Sequence, residues 1–463
     1  MKQKNTLGYV IFMAVVAAIG GILFGYDTAV ISGTTAIVKN QFALTDMMEG
    51  WYVGCALIGS ICGVLAAGTL SDYLGRKLTM LISAALFSIS AIGCAVCGSF
   101  DALVAFRIIG GVGIGIVSIV SPIYISEVSP AKIRGTLVSL YQLAVTVGFL
   151  LAYLANWVID VNGDMAVAGD LWTNIWNCEM WRGMLGSETL PALLFFFIIF
   201  FIPESPKWLI VNGKLDKASL VLSKIYSTEE EVKEEINVTN ASLKGENKGK
   251  WSDLLKPGIL LAVITGSAIA ILGQFMGVNA VLYYGPKIFA DAGFDNPMFS
   301  TVLVGVVNMV TTILAVFIID KVGRKQLIYW GVSGMIICLM AIGIYFAWGS
   351  QIGLGNGFML TFFLAYVFCC AISISAIVFV LLSEMYPNSV RGRAMSIAGF
   401  ALWIGTYLIG QLTPVLLGWS QAGTFFIFAV MCVPYMLIMW KVVPETTGKT
   451  LEEIEAYWTN RKK

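Results

Sequence analysis

Apolar stretches of about twenty residues recur along the whole chain, and they constrain its fold more than any other feature. A helix needs about 20 apolar residues to cross the hydrocarbon core of a bilayer. Only 12% of the 463 residues are charged, against about 25% in soluble domains. The sequence therefore predicts an all-α membrane protein with twelve transmembrane helices, because helices satisfy their backbone polar groups internally. The predicted helices lie at roughly 9–32, 51–70, 78–99, 103–125, 137–157, 184–202, 258–282, 298–319, 326–348, 358–382, 394–417 and 422–443.

Three polar signatures between these stretches occur twice, and each second copy follows about 240 to 260 residues after the first. They read Asp-x-x-Gly-Arg-Lys at 72–77 and 320–325, Glu-x-x-Pro-x-x-x-Arg-Gly at 127–135 and 384–392, and Pro-Glu at 203–204 and 444–445. One half of the chain thus duplicates the other, which is typical of transporters built from two helical bundles. The sequence predicts two pseudo-symmetric six-helix bundles.

Basic residues cluster in alternate short loops, which gives the chain a predicted orientation. The basic loops carry Arg76, Lys77, Lys132, Arg134, Lys321, Arg324, Lys325, Arg391 and Arg393, whereas the loops between helices 3 and 4, 9 and 10, and 11 and 12 carry no Lys or Arg. Because positively charged loops face the cytoplasm, we expect both termini there. The predicted domains are an N-terminal bundle at 1–202, a cytoplasmic helical linker at 203–256, a C-terminal bundle at 257–443 and a cytoplasmic tail at 444–463.

The composition also excludes several classes of site. The chain has no histidine, so any proton chemistry has to use carboxylates. Its nine cysteines fall mostly inside apolar stretches, and even the C-x-x-C of Cys94 and Cys97 lies inside the predicted helix at 78–99. We find no nucleotide loop and no nucleophile–base set. We therefore expect no catalysis, no metal site and no nucleic-acid partner. We also expect the protein to be a monomer.

The repeated signatures pair acids with bases beside helix ends, and we predict that they form a cytoplasmic gate. Its residues are Asp72, Arg76, Glu127, Arg134, Glu204, Asp320, Arg324, Glu384, Arg391 and Glu445. Hydrated ion pairs of this kind contribute about 0–1 kcal/mol each, which suits a reversible latch. The alternative is a set of ordinary basic loops with a few neutralising acids, but that interpretation does not explain the duplication.

Three ionisable residues lie within apolar stretches, where such residues are functional candidates by default. They are Asp27 in helix 1, Arg107 near the start of helix 4 and Glu188 in helix 6. A carboxyl that alternates between an unpaired neutral state and an ion pair with Arg107 would carry a proton. A permanent structural ion pair is the alternative.

Several of these residues match the signatures of a known transporter family. The chain resembles the sugar-porter branch of the major facilitator superfamily over nearly its full length, and within it the bacterial proton-coupled xylose (pentose) symporters. The matching signatures are Gly25-Tyr26-Asp27, Arg76-Lys77, Pro203-Glu204-Ser205-Pro206, Gln274-Phe275-Met276-Gly277-Val278-Asn279 and Pro444-Glu445-Thr446. The resemblance implies the major facilitator fold and gives Asp27, Arg107 and Glu188 the proton-coupling positions. Facilitative relatives lack acids at the positions of Asp27 and Glu188.

The resemblance also implies a set of sugar-binding residues. They are Phe24, Gln142, Gln274, Asn279, Tyr283, Tyr284, Asn308 and Trp403. Amides offer a donor and an acceptor to sugar hydroxyls, and aromatic faces suit the C–H face of a ring. Tyr283 and Tyr284 occupy the position of the family's outer gate.

Four positions depart from the family pattern and make the predicted pocket less polar. Gly273, Phe149 and Leu402 stand where polar amides are expected, and Ser375-Ala376-Ile377-Val378-Phe379 replaces a Gly-Pro-rich run in helix 10. A less hydroxylated sugar fits such a pocket, because a buried hydroxyl without a partner costs about 1–3 kcal/mol. The change in helix 10 also removes expected hinge residues.

These features together predict a proton-coupled importer of a monosaccharide, a pentose or hexose of the xylose type, in the bacterial inner membrane. The proton is the coupling ion and no other cofactor is expected; the partners are the sugar, protons and the lipid bilayer. An uncoupled sugar facilitator, a symporter of a polyol or deoxysugar, and a transport-inactive nutrient sensor remain as alternatives.

Overall fold

The computed structural model describes residues 2–164, 166–245, 251–387, 390–446, 453–454 and 457–458, and side chains are described except at 2–5, 242–245 and 320. All regular structure in these residues is helical. Twelve helical segments are long and apolar enough to cross a membrane, which confirms the predicted fold class. We call them spans 1 to 12: Thr6–Gln41, Asp46–Leu74, Arg76–Val96, Phe100–Val128, Arg134–Asn162, Met180–Phe201, Pro257–Asp291, Pro297–Ile319, Arg324–Ile352, Asn356–Met385, Arg391–Trp419 and Gln421–Lys441.

Most spans are longer than the apolar stretches that predict them. Span 1 continues to Gln41, nine residues past its predicted end at 32, and span 2 starts at Asp46. A helix continues beyond the apolar stretch because its backbone hydrogen bonds do not depend on side-chain polarity. Polar residues at the span ends are therefore helical.

The chain divides into two compact units. Unit 1 contains 1–37 and 55–246, and unit 2 contains 38–54 and 247–463. The hairpin 38–54, which joins spans 1 and 2, therefore packs with unit 2, and the linker helices pack with unit 1.

Unit 1 combines long helices with one span that consists of several segments. Span 6 contains Met180–Ser187, Thr189–Ile198 and a 3-10 turn at Ile199–Phe201. Glu188, the residue between the first two helices, keeps helical dihedral angles of φ −61° and ψ −21°. The short helices outside the spans are Leu171–Trp176, Pro206–Val211, Leu215–Ile225 and Glu229–Gly245. The first of these begins where the Asp170 side chain accepts from Thr173 N, an ordinary N-cap.

Unit 2 contains two interrupted spans. Span 7 consists of Pro257–Phe275 and Val278–Asp291, and the break contains Gly277 at φ 90°, a left-handed conformation that glycine adopts without strain. Span 10 consists of Asn356–Cys370, a π-helical turn at Ala371–Ser375 and Ala376–Met385. A short 3-10 turn at Trp251–Leu255 precedes span 7.

The π-helical turn of span 10 stands next to the segment where the sequence lacks a Gly-Pro hinge. Single π-turns inside α-helices are rare and occur often at functional sites. Span 9 approaches this turn closely, because a Cβ on Gly331 would stand 2.2 Å from Oγ of Ser373. The expected hinge residues are absent from span 10, but the span keeps an irregular turn at Ala371–Ser375.

Candidate functional site

A buried cluster of charged groups lies inside unit 1. Nη1 of Arg107 in span 4 donates to Oδ1 of Asp27 in span 1 at 2.6 Å. Glu188, between the first two helices of span 6, is also buried. The structure thus brings together the three predicted proton-coupling residues, which are far apart in the sequence. We call Asp27, Arg107 and Glu188 the charged triad.

The charged triad has two acids and one base. The buried Glu188 carboxyl interacts electrostatically with both the Asp27 carboxyl and Arg107. Oδ2 of Asp27 and Oε1 of Glu188 have no hydrogen-bond partner among the described residues. Two ionised carboxyls beside one arginine would repel each other and leave one excess negative charge. The cluster is therefore electrically neutral when its two carboxyls share one proton.

A neighbouring hydrogen bond holds two of the triad's helices together. The hydroxyl of Tyr26 lies 2.7 Å from that of Ser187. These residues directly precede Asp27 and Glu188, so the contact joins span 1 to span 6 beside the two acids. Ser187 could not be predicted from the sequence, since a serine in an apolar helix has no distinguishing pattern.

A cluster of two amides lies in unit 2, where span 7 is interrupted. Nδ2 of Asn279 donates to Oε1 of Gln274 at 2.6 Å. The two residues belong to different helices, and the turn at Gly277 brings the end of one beside the start of the next. We call Gln274 and Asn279 the amide pair. Oγ1 of Thr406 in span 11 contacts the same Gln274 oxygen at 3.2 Å. Thr406 is not among the residues predicted from the sequence.

The remaining predicted sugar residues are distributed over both units. Phe24 and Gln142 belong to unit 1, whereas Tyr283, Tyr284, Asn308 and Trp403 belong to unit 2. The hydroxyl of Tyr284 donates to the carbonyl of Gly410 at 2.7 Å, so it is engaged within unit 2. Gln142 is exposed, and Phe24, Asn308 and Trp403 are half-buried.

The apolar residues that depart from the family pattern differ in how deeply they are buried. Phe149 is buried in unit 1, and Gly273 is buried in span 7. Leu402 is half-buried, whereas Phe379 is exposed on unit 2. No group of three or more metal-ligating side chains is found in the part of the chain that the structure describes.

The first copy of the repeated signatures forms a connected network in unit 1. Nε and Nη2 of Arg76 donate to the two carboxylate oxygens of Glu127 at 2.9 and 3.1 Å, a bidentate pair. Nη1 of Arg76 also donates to Asp72 at 3.2 Å. This network connects the start of span 3 with the ends of spans 2 and 4.

Glu204 receives the free backbone N–H groups at the start of span 3. The backbone N–H groups of Arg76 and Lys77 donate to its Oε1 at 2.9 and 3.1 Å. A carboxylate at a helix N-terminus satisfies otherwise unpaired donors. Burial raises the pKa of Glu204 above its ordinary value, and these N–H groups together with that of Ser205 oppose the shift.

The second copy repeats this arrangement in unit 2. Nη2 of Arg324 donates to Oε1 of Glu384 at 3.3 Å, and the backbone N–H of Lys325 donates to Glu445 at 3.3 Å. These residues are the counterparts of Arg76, Glu127, Lys77 and Glu204. The side chain of Asp320, predicted in the gate, lies outside the described residues.

The other two predicted gate arginines make matching contacts with the backbone. Nε of Arg134 donates to the carbonyl of Ser129 at 3.4 Å, and Nε of Arg391 donates to the carbonyl of Tyr386 at 3.4 Å. Each accepting carbonyl lies five residues before its arginine. The duplication seen in the sequence therefore extends to individual hydrogen bonds.

Comparison with known proteins gives a consistent result. The family described as "Sugar (and other) transporter" matches residues 13–458. The arabinose-proton symporter of Bacillus subtilis (strain 168) is 39% identical over 462 residues, which cover 99% of this chain and 97% of the relative. The D-xylose-proton symporter of Escherichia coli (strain K12) is 37% identical over 493 residues, with the same coverage of 99% and 97%.

Solved structures support the same relationship. The inward-open conformation of the E. coli xylose transporter XylE has a TM-score of 0.84 at 35% identity and covers 97% of this chain and 100% of that chain. The XylE structure bound to 6-bromo-6-deoxy-D-glucose has a TM-score of 0.77 at 36% identity and covers 98% and 100%. The resemblance seen in the sequence is confirmed, as is the expectation of a transporter rather than an enzyme. The chain belongs to the sugar (and other) transporter family.

Proposed function

We propose that this protein carries a monosaccharide together with a proton across the bacterial inner membrane into the cell. The observation that carries the proposal is the charged triad, whose two buried acids share one base. A facilitator needs no such cluster. The named arabinose-proton and D-xylose-proton symporters support the same function, and they favour a pentose as substrate.

The proton step follows from the charge balance of the charged triad. When Asp27 is ionised it pairs with Arg107, and the second carboxyl has to hold the proton to avoid an uncompensated buried charge. When the proton instead sits on Asp27, this ion pair is lost, and Arg107 is free to pair with the ionised Glu188. The position of the one proton therefore determines which helices Arg107 connects, and its binding and release on opposite sides of the membrane is the coupling step.

The driving force is sufficient for accumulation. A proton that enters down about 100 mV and one pH unit releases roughly 2.3 + 1.4 ≈ 3.7 kcal/mol. This free energy supports about a few-hundredfold accumulation of sugar at a ratio of one to one. The proton is the coupling ion, and the mechanism needs no further cofactor.

The substrate site combines the amide pair with an aromatic side chain. The amides of Gln274 and Asn279 supply both donors and acceptors, which match sugar hydroxyls. Trp403, also in unit 2, offers a ring face to the sugar's C–H groups. The apolar side chain of Leu402 reduces the number of hydroxyls that the site satisfies.

Alternating access uses the repeated networks as latches on the cytoplasmic side. Arg76 with Glu127 and Arg324 with Glu384 tie span ends together within each unit. The pair of Arg324 and Glu384 is partly exposed and therefore weak enough to rearrange, whereas the more buried pair of Arg76 and Glu127 is the stronger latch. In this proposal both termini face the cytoplasm and the protein acts as a monomer.

The test is sugar-induced proton movement in proteoliposomes that contain the purified protein. Pentoses, hexoses, deoxysugars and polyols are added in turn, and the external pH is recorded. We expect alkalinisation outside the vesicles with one class of sugar, and the same response from the control variant Asp101→Asn, which changes an exposed acid. Sugar exchange without proton movement would contradict the proposed coupling.

A symporter of a deoxysugar or polyol is the second candidate, and the apolar Leu402, which stands where an amide is expected, favours it. The same experiment separates the two candidates. Proton movement that is stronger with a deoxysugar than with its parent sugar would identify this second function.

A further inference from the structure

A hydroxyl on span 11 contacts the amide pair from a helix distant in sequence. We propose that Thr406 is a positioning residue that sets the direction of the Gln274 amide, and thereby the sugar hydroxyl that Gln274 selects. The inference rests on the proposed function, because it assumes that the amide pair meets the sugar. Thr406 itself is assigned no contact with the substrate.

The geometry places the Thr406 hydroxyl between two oxygens. Its Oγ1 lies 3.2 Å from Oε1 of Gln274 and 2.9 Å from the carbonyl oxygen of Leu402, one turn earlier in span 11. The side chain is buried, so water does not compete freely for these contacts. A hydroxyl has a single proton, and Thr406 can donate to only one of the two oxygens.

The direction of that proton determines how the Gln274 amide faces. When Thr406 donates to Gln274, the amide oxygen is held by Thr406 and Asn279, and the Gln274 NH₂ group is left for the sugar. When Thr406 donates to Leu402 instead, Gln274 has to turn its NH₂ group toward Thr406 to make a hydrogen bond, and its oxygen is left for the sugar. The observed contact from Nδ2 of Asn279 to Oε1 of Gln274 corresponds to the first arrangement.

The preceding residue supports Gln274 through its side-chain stem. A Cβ on Gly405 would stand 3.1 Å from Cβ and 3.2 Å from Cγ of Gln274. The stem of Gln274 therefore lies against the backbone of span 11, while its amide reaches Thr406. Two adjacent residues of span 11 thus hold both ends of one side chain.

A second buried threonine in the same span provides a matched control. Oγ1 of Thr413 donates to the carbonyl of Ile409 at 2.7 Å, the same contact with its own helix that Thr406 makes with Leu402. No contact between Thr413 and a residue of the amide pair is found among the described residues. Replacement of either threonine by valine removes a hydroxyl at nearly constant volume, but only Thr406→Val changes the surroundings of Gln274.

The first experiment measures uptake of D-xylose, L-arabinose and D-glucose by the full-length protein in proteoliposomes. We expect Thr406→Val to raise the KM of the transported sugar about threefold to tenfold, which is the effect of one hydrogen bond, with kcat nearly unchanged. Thr406→Ser keeps the hydroxyl and should restore KM to within about twofold of wild type, and Thr413→Val should leave KM unchanged.

The second experiment tests the direction of the amide with competitors. Deoxyfluoro sugars retain a weak acceptor at the replaced hydroxyl, whereas deoxy sugars do not. If Gln274 donates its NH₂ group, the deoxyfluoro analogue competes better than the deoxy analogue at one hydroxyl position, and Thr406→Val removes this difference. In a Gln274→Ala background, Thr406→Val should have no further effect on KM.

The outcomes separate this inference from the proposed function. Equal effects of Thr406→Val and Thr413→Val, or an effect of Thr406→Val that persists in Gln274→Ala, would overturn the positioning role. If Gln274→Ala and Asn279→Ala both leave KM unchanged, the sugar site itself is elsewhere and the proposed function loses its site. Should Thr406→Val fail to fold, a raised KM in Thr406→Cys, with restoration in Thr406→Ser, decides the question.

Discussion

Nη1 of Arg107 lies 2.6 Å from Oδ1 of Asp27, and the two side chains are only 3% and 1% exposed. Removal of two charges from water is costly, so such a pair persists only with good geometry. A permanent ion pair would need no third charged group. Glu188 is nevertheless buried and interacts electrostatically with both members of the pair. This composition is the one expected of a site whose ion pair can exchange.

Asp27→Asn should abolish accumulation and preserve exchange. Asparagine keeps the shape of the side chain but cannot carry a proton, so sugar can cross only down its own gradient. We expect the accumulation ratio under an imposed proton gradient to fall from about a few-hundredfold to about one. Counterflow of labelled sugar should remain measurable. Asp101→Asn is the control, and accumulation that survives in Asp27→Asn would exclude Asp27 as the carrier.

Glu188→Gln and Asp27→Asn should differ in their effect on stability. Glu188→Gln leaves one acid and one base, a balanced pair already in contact, so the melting temperature should stay equal or rise. Asp27→Asn removes the acid that Arg107 contacts directly, and breaking a buried pair costs about 3–5 kcal/mol. Part of this loss is recovered if Arg107 turns to Glu188. Thermal unfolding of both variants in the same detergent measures the difference. Equal melting temperatures would mean that the balance of acids and bases in the charged triad does not determine stability.

The duplicated latches provide an internal comparison. Glu127 is 7% exposed and accepts two hydrogen bonds from Arg76, whereas Glu384 is 25% exposed and accepts one from Arg324 at 3.3 Å. Since exposed pairs contribute less than buried bidentate pairs, Glu127→Gln should destabilise the protein by about 1–2 kcal/mol, and Glu384→Gln by less than about 1 kcal/mol. Melting temperatures of the two variants test the order, and a larger effect at Glu384 would refute it.

Glu204 should make stability depend on pH with a predictable sign. Because burial raises the pKa of Glu204, the folded protein holds this proton more tightly than the unfolded chain does. The contribution of Glu204 is therefore fully present below the ordinary pKa of 4.5 and is lost as pH rises through the folded value. Glu204→Gln still offers a carbonyl to the backbone N–H groups of Arg76 and Lys77. Its melting temperature should fall less than that of wild type between about pH 4.5 and 7; parallel curves would contradict the prediction.

The charged triad can be predicted from the sequence, because ionisable residues are rare in apolar stretches. The amide pair is harder to predict. Residues five apart on one helix do not face each other, and the contact between Gln274 and Asn279 exists because the helix breaks at Gly277. The role of Thr406 is not visible in the sequence, since the residue lies 132 positions from Gln274. Close packing of spans 7 and 11 creates that contact, and no periodic pattern encodes it. The π-helical turn of span 10 could not be predicted from the sequence for the same reason.

Glu49→Gln should weaken the attachment of the hairpin 38–54 to unit 2. The Glu49 carboxylate is fully buried and accepts from Nζ of Lys39 at 2.7 Å and from Nζ of Lys287 in span 7 at 2.8 and 2.9 Å. A glutamine cannot balance two lysines, which then repel each other. Because both lysines are partly exposed, we expect a loss of about 1–3 kcal/mol rather than the full cost of an unpaired buried charge. Asp46→Asn is the matched control: Asp46 also pairs with Lys39, but its side chain is 43% exposed, so its loss should cost less than about 1 kcal/mol. Thermal unfolding compares the two variants.

Limited proteolysis within 38–54 adds a local measurement, because a detached hairpin is cleaved faster in Glu49→Gln than in Asp46→Asn. Equal cleavage rates and melting temperatures would mean that the close packing of Gly50 against Gln411, rather than the ion pairs, holds the hairpin.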